Sequence, residues 1–244
     1  MNCGKCGATN TDDAAFCKVC GNSLRVSGPT PAASPTSGPS QMGGMNMRIT
    51  NAFKNAIDLV KNPVAFMKQN KDVVPPVNST MINYVAVLAA IPFFATLIGD
   101  LWYYSFFRFF GFAGGFFGYA IAHAIVTYIL DVAAVFVVGF VIWKLAPSFG
   151  TTTDQAKSTL LAAYVYTPVF LISILNIIPF IGWITVLGLL YGLYILYLGL
   201  PILLNTPADR VIIYVVAILV AAFVVYAIIG TITALIFFGS FFFL

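Results

Sequence analysis

From Leu160 to Leu204 the chain carries no charged side chain. Pro179, Phe180 and Gly182 pinch this run into two apolar segments, Leu160–Ile178 and Ile181–Leu204. A helix needs about 20 residues to cross a hydrocarbon core of ~30 Å, and each segment is of that length. Two adjacent helices that are apolar on every face find no cover in water, so the run predicts a membrane hairpin. Composition agrees: 60% of the 244 residues are hydrophobic and 8% are charged, where soluble domains carry about 25% charged residues.

Three more apolar runs, Met81–Trp102, Ala120–Leu145 and Val211–Phe238, complete five spans. The expected fold is an all-α membrane protein: a five-helix transmembrane bundle with a small N-terminal zinc ribbon and an amphipathic surface helix. A single helix from Gly115 to Leu145 would be ~46 Å long at 1.5 Å per residue, so its start lies in the interface or the helix tilts. Basic residues fall mostly before the first span and in the second and fourth loops, as Lys144, Lys157 and Arg210, whereas the first loop (Tyr103–Tyr119) has Arg108. This asymmetry places the N-terminus in the cytoplasm and the C-terminus outside. It sets orientation and does not indicate nucleic-acid binding. Thr206-Pro207 reads as a capped helix start. The Phe-rich loop Phe106–Phe117 is expected in the outer headgroup layer, because so large an apolar patch does not stay in water.

All four cysteines lie in residues 1–25. Cys3 and Cys6 form one C-x-x-C pair, Cys17 and Cys20 a second, and a glycine follows each pair. Four thiolates at this spacing suit tetrahedral zinc, and the glycines permit the left-handed turn that aims backbone N–H groups at sulfur. Two disulfides or a redox dithiol pair are the alternatives. The chain begins with no positive-then-apolar signal run, so the segment is expected in the reducing cytosol, which disfavours disulfides. The doubled motif disfavours redox chemistry. With so little apolar material, folding would depend on Zn2+. The stretch resembles the short zinc-ribbon module at the N-terminus of many prokaryotic membrane proteins. It carries no basic patch of the kind that binds nucleic acid.

Residues 26–47 are rich in Pro, Gly, Ser and Thr and read as a disordered linker spanning on the order of 25 Å. Residues 48–78 form an amphipathic juxtamembrane segment. There Phe53, Ala56, Ile57 and Val60 follow helical spacing after Thr50 as N-cap, and Pro63 breaks the helix in two. Lys54, Lys61 and Lys68 recur every seven residues. Such a helix either packs on the cytosolic face of the bundle or lies in the headgroup boundary.

Several motifs between residues 53 and 235 resemble the Yip domain family of Ypt/Rab-interacting membrane proteins. They are Lys61-Asn62-Pro63-Val64-Ala65-Phe66 before the first span, its opening from Tyr84 to Leu97, and Ala163-Tyr164-Val165-Tyr166-Thr167-Pro168 in the third span. Leu198-Gly199-Leu200 and the turn Thr206-Pro207-Ala208-Asp209-Arg210 complete the set. The resemblance implies a five-span Yip-like domain over residues 79–244 and a non-enzymatic adaptor role. Eukaryotic relatives act in vesicle traffic. This chain has a zinc module and lacks their long acidic, Pro-rich N-terminal region, so it is more similar to the prokaryotic branch.

Asp131 is the carboxyl nearest the middle of a span, where insertion costs about 3 kcal/mol. It must be protonated or hydrogen-bonded to a Tyr, Asn or Thr of a neighbouring span. It serves either as a packing pin or, with His123 eight residues earlier, as a proton or cation relay. Asp100 and Asp131 differ in predicted depth, which argues against an aspartyl protease, and the chain has no nucleophile dyad or phosphate loop. Tyr164, Tyr166 and Pro168 are expected to kink the third span and satisfy the carbonyls this frees. Tyr191, Tyr194 and Tyr197 read as packing material, and Gly188, Gly192 and Gly199 as points of close helix approach. The expected function is a membrane scaffold, with the lipid bilayer, a protein partner at the zinc module and a second copy of the chain as associates. The alternative is a small transporter or ion pathway centred on Asp131.

Overall fold

In a computed structural model the described residues are 6–9, 11, 18–20, 41–109, 116–178 and 181–242. The chain divides into two units, residues 1–43 and 44–244. The larger is all-helical: α1 (Gln41–Lys61, which begins just before the division), α2 (Pro63–Asn70), α3 (Val77–Thr80), a π-helical turn (Met81–Val85), α4 (Ala86–Phe109), α5 (Phe116–Leu145), α6 (Gln155–Ile172), α7 (Thr185–Leu204) and α8 (Val211–Phe242). Five stretches are long and apolar enough to cross a membrane: Val77–Tyr103, Phe117–Phe149, Gln155–Ile177, Gly182–Leu204 and Val211–Ile228. The five expected spans are therefore present.

Helix α6 is the central element, packed against α4, α5 and α7. It starts five residues earlier than the apolar run suggests. The Asp154 carboxylate caps it, accepting from the Lys157 N–H at 2.7 Å, so the polar residues Gln155–Thr159 form a helical turn and not a loop. Helix α7 lies close against α6 because glycines face it. A methyl group on Gly188 would come within 2.6 Å of the Ile172 Cγ2, one on Gly192 would strike the Val165 carbonyl oxygen, and one on Gly199 the Leu161 side chain. The predicted close approach is realised at all three positions. Gly139 similarly admits the Thr159 backbone between α5 and α6.

Helix α7 ends with Asn205 in the left-handed region (φ 52°) and the Thr206 N–H bonded to the Leu200 carbonyl at 3.2 Å. This closure takes Thr206 and Pro207 out of the next helix. The expected capped start there is not formed, and α8 begins at Val211. The buried Thr206 hydroxyl instead accepts from the Thr151 hydroxyl at 3.0 Å, joining the loops at that end of the bundle. Nearby, Phe149 stacks on Tyr214 with ring centroids 4.5 Å apart. The first loop is also shorter than expected, since α4 continues to Phe109 and α5 starts at Phe116.

The N-terminal helices depart further from expectation. Thr50 lies inside α1 and not at its start. Pro63 does break the helix, at the first position of α2, with the Asn62 side chain as cap. The buried face of α1 is Ala52, Ala56 and Leu59, while Ile57 is 45% exposed. The apolar stripe is thus rotated from the predicted one, towards the small Ala52. Register shows how the pair sits. Asn51 and Ala52 share a cavity with Thr80, Leu160 and Tyr164. Eight residues on, the Val60 carbonyl accepts from the Tyr191 hydroxyl at 2.7 Å and lies beside Pro168 and Leu171. The chain then returns along α2, with Phe66 edge-on to Tyr164 at 5.5 Å and the Met67 sulfur beside Gly199. Helices α1 and α2 therefore form a V leaning lengthwise on α6 and α7, about 12 Å deep at 1.5 Å per residue. They do not lie flat across the ends of the spans. Lys54, Lys61 and Lys68 remain exposed.

The glycine seam should be the most sensitive part of the bundle. Gly192→Val is expected to lower unfolding free energy in mixed micelles by about 1–3 kcal/mol, the usual cost of overpacking. Gly118→Ala, where an added methyl meets nothing within 4 Å, should change it by less than about 0.5 kcal/mol.

Candidate functional site

In the bilayer a polar group that lacks an internal partner costs several kcal/mol. Several hydroxyls of the spans accordingly find partners on other helices, although that of the buried Thr159 on α6 has none. In the third-span signature, Thr167 donates to the Ala163 carbonyl at 2.9 Å, one turn back in its own helix. Its single proton is thereby used, so in the 2.8 Å contact with Tyr84 the tyrosine donates to Thr167. This joins the start of the first span to the third. Pro168 lies within α6 without ending it. Pro168 frees the Tyr164 carbonyl, whereas the Thr167 hydroxyl reinforces the adjacent Ala163 carbonyl; the role expected there for the hydroxyls of Tyr164 and Tyr166 is not seen. The Tyr164 ring instead stands edge-on to Phe66 and Tyr84. The Tyr166 hydroxyl accepts from Tyr226 of α8 at 2.8 Å.

Asp131 is half-buried on α5. Its carboxyl lies within electrostatic range of the Tyr166 and Tyr226 hydroxyls. Asp131 on α5 and the hydrogen-bonded Tyr166–Tyr226 pair of α6 and α8 thus form one electrostatic group. His123 does not belong to this group. Its Nδ1 is 2.7 Å from the Asp100 Oδ2, and Tyr119 stacks on its ring at 5.6 Å. Eight helical residues separate His123 from Asp131 by about 12 Å. The two residues paired by sequence reasoning therefore serve different places: His123 with Asp100 fastens α5 to α4 near one end, and Asp131 faces tyrosines further along. Asp100 is engaged with His123, so the two carboxyls do not form a protease-like pair.

Further pins follow the same pattern. Tyr128 donates to the Ala86 carbonyl at 3.2 Å, and Tyr214 donates to the Ile142 carbonyl. In the tyrosine stripe of α7 only Tyr191 acts in this way. Tyr194 and Tyr197 are 48% and 47% exposed, so the expected packing role fails for them. Sequence reasoning named Tyr84 and Thr167 only as motif residues and gave Tyr214 and Tyr226 no role. The signal available was cost: a hydroxyl inside an apolar span has to be paired.

Of the four predicted zinc ligands, Cys6 and Cys20 are described and exposed, and Cys3 and Cys17 lie outside the described residues. Gly7, which follows the first pair, has a φ of 72° and open space around its Cα. This is the left-handed turn that a metal knuckle requires. Among the described residues no group of three or more His, Cys, Asp or Glu side chains is assembled.

Comparison with known proteins bears on this arrangement. A Yip1 domain model matches residues 57–243. This chain belongs to the Yip1 domain family. The matched region takes in the return helix α2 and all five spans, so the membrane bundle is the family domain. The inner membrane protein YohC of Escherichia coli K12 is 30% identical over 137 residues, covering 52% of this chain and 67% of that protein. The YohC of an E. coli O6:H1 strain matches to the same extent. No solved structure matches.

A double-mutant cycle of Tyr84→Phe with Thr167→Val should give a coupling of about 0.6 kcal/mol, and no more than ~1.7, in micelle unfolding. Additive losses would show that the contact joins no helices.

Proposed function

We propose that this chain is a non-enzymatic membrane scaffold of the Yip type that carries a zinc-bound docking module in the cytosol. The observation that carries the reading is the use made of the polar groups in the spans. Tyr84 with Thr167, Tyr128 with Ala86, Tyr214 with Ile142, Tyr226 with Tyr166, and His123 with Asp100 each fasten one helix to another. Groups arranged in this way hold an architecture and do not converge on a substrate. Chemistry that faces a partner then falls to the N-terminal cysteines. Cys3, Cys6, Cys17 and Cys20 supply four thiolates for one Zn2+, and the left-handed Gly7 supports that use. Bound zinc would supply the folding energy that so small an apolar set lacks. The excess of basic residues on one side supports a cytoplasmic N-terminus and an external C-terminus. The name of the E. coli relative, an inner membrane protein, supports the bacterial inner membrane as the location.

Two measurements test the proposal. The purified chain should contain about one zinc per molecule by metal analysis, and the Cys3→Ser/Cys6→Ser variant should contain essentially none. Crosslinked partners in native membranes should differ between the two proteins, and identical partner sets would count against a docking role.

A second reading, a proton or cation pathway, is favoured by one observation: Asp131 lies within electrostatic range of two phenols. If that group conducts, Asp131→Asn in proteoliposomes should reduce proton or cation flux at least about tenfold, the loss expected when a relay carboxyl is removed. Equal flux in both proteins would leave Asp131 as a packing group.

A further inference from the structure

A cavity of about 340 Å³ lies between the inner faces of α1 and α2, the start of the first span and α6. It falls at the small end of the ~300–1,000 Å³ range typical of ligand pockets. Its floor is apolar and aromatic, formed by Phe66, Tyr84, Leu160 and Tyr164, whose three rings meet edge to face. Its walls carry amides and hydroxyls: Asn51 and Asn55 of α1, one turn apart, Asn70 at the end of α2, then Ser79, Thr80 and Asn83. No lining side chain is charged.

Two of these groups are unpaired. Thr80 is 3% exposed, and its hydroxyl has no hydrogen-bond partner. A helical threonine commonly bonds back to the carbonyl four residues earlier, as Thr167 does here; Thr80 does not. The buried Asn83 Oδ1 is also without a partner, while Asn83 Nδ2 donates to the Ser79 hydroxyl at 3.0 Å. Exchanging the amide oxygen and nitrogen does not cure this. Ser79 would then donate to Oδ1, and the amino group would become the orphan. A buried unpaired polar group costs about 1–3 kcal/mol. The backbone here is special as well, since Met81–Val85 form a π-helical turn, a feature frequent at functional sites.

The geometry points to a binding site for a neutral, hydroxyl-rich ligand, a polyol or sugar group, that hydrogen-bonds to Thr80 and Asn83 and lies against the aromatic floor. Amide and hydroxyl walls with no cation match uncharged hydroxyls and give a phosphate nothing to neutralise it. The site opens at the end of the bundle where the first span begins. A sugar headgroup on a membrane lipid and a free sugar are therefore two sources of the same chemistry. The proposal is independent of the scaffold reading and of the zinc module.

The test uses the full chain in lipid nanodiscs. Methyl glucoside is the free probe and monoglucosyl diacylglycerol the lipid-borne one, with binding followed by saturation-transfer NMR and native mass spectrometry. Saturable one-to-one binding of the free probe supports a soluble source, and binding of the glycolipid alone supports a membrane source. Thr80→Val, which keeps shape and removes the hydroxyl, should weaken binding about tenfold, a loss of ~1.4 kcal/mol. Asn55→Leu, on the exposed side of the cavity where folding is not at risk, should do the same. Failure of both probes to bind overturns the proposal. So does unchanged affinity in both variants, or displacement of the probe by inorganic phosphate at equal concentration. If Thr80→Val only raises the unfolding midpoint and the wild type binds neither probe, the cavity holds water.

Discussion

The close contact of α6 with α7 is what the rest of the structure depends on. Lipid offers helices no hydrophobic reason to associate, so they are held by packing and internal hydrogen bonds. Gly188, Gly192 and Gly199 remove the side chains that would keep the two backbones apart. With α7 seated on one side, α6 becomes the most enclosed span, with Leu161, Ala162, Ala163 and Thr167 all buried. Every other helix is then placed by what it meets on α6 or α7. The first span meets Thr167, the fifth meets Tyr166, and the V of α1 and α2 lies against Tyr164, Tyr191 and Gly199.

The hydroxyl pins have a different role from the glycines. Glycines permit approach but do not choose partners. A tyrosine in lipid must find an acceptor, and only certain arrangements of helices supply one. Tyr84, Tyr128, Tyr214 and Tyr226 each find theirs on another helix. Pairing of this kind fixes rotation and depth as well as contact. The same reasoning draws attention to the cavity beside α1, where Thr80 and Asn83 of the first span keep unpaired groups, as Thr159 does on α6.

The site was legible in the sequence only in part. Asp131, Tyr166 and His123 stood out because polar groups in apolar runs are costly. Their grouping did not follow from position along the chain. His123 and Asp131 share a helix, yet each takes its neighbours from elsewhere: Asp100 on α4 for one, Tyr166 and Tyr226 on α6 and α8 for the other. Thr167 stood only as a motif residue, between two more prominent ones. The amphipathic stripe of α1 was misread by one position, since a large Ile57 looks more core-like than a small Ala52. Close packing nevertheless favours the smaller residue at the contact.

Sequence alone determined that the chain is built to cross a membrane, how many times, and that helices end at Leu145 and Leu204. Those properties follow from hydropathy, length, proline and glycine, all of which act locally. It also marked the seam of small residues on α7, because spacing along one helix is visible in one dimension. Tertiary structure alone decided that α1 and α2 stand lengthwise against the bundle and which hydroxyl meets which. Those outcomes depend on contacts between segments 40 or more residues apart, such as Tyr128 and Ala86, Tyr84 and Thr167, or Val60 and Tyr191. The hydrogen-bonding needs of those segments are written in the chain, but their partners are chosen only when the helices pack.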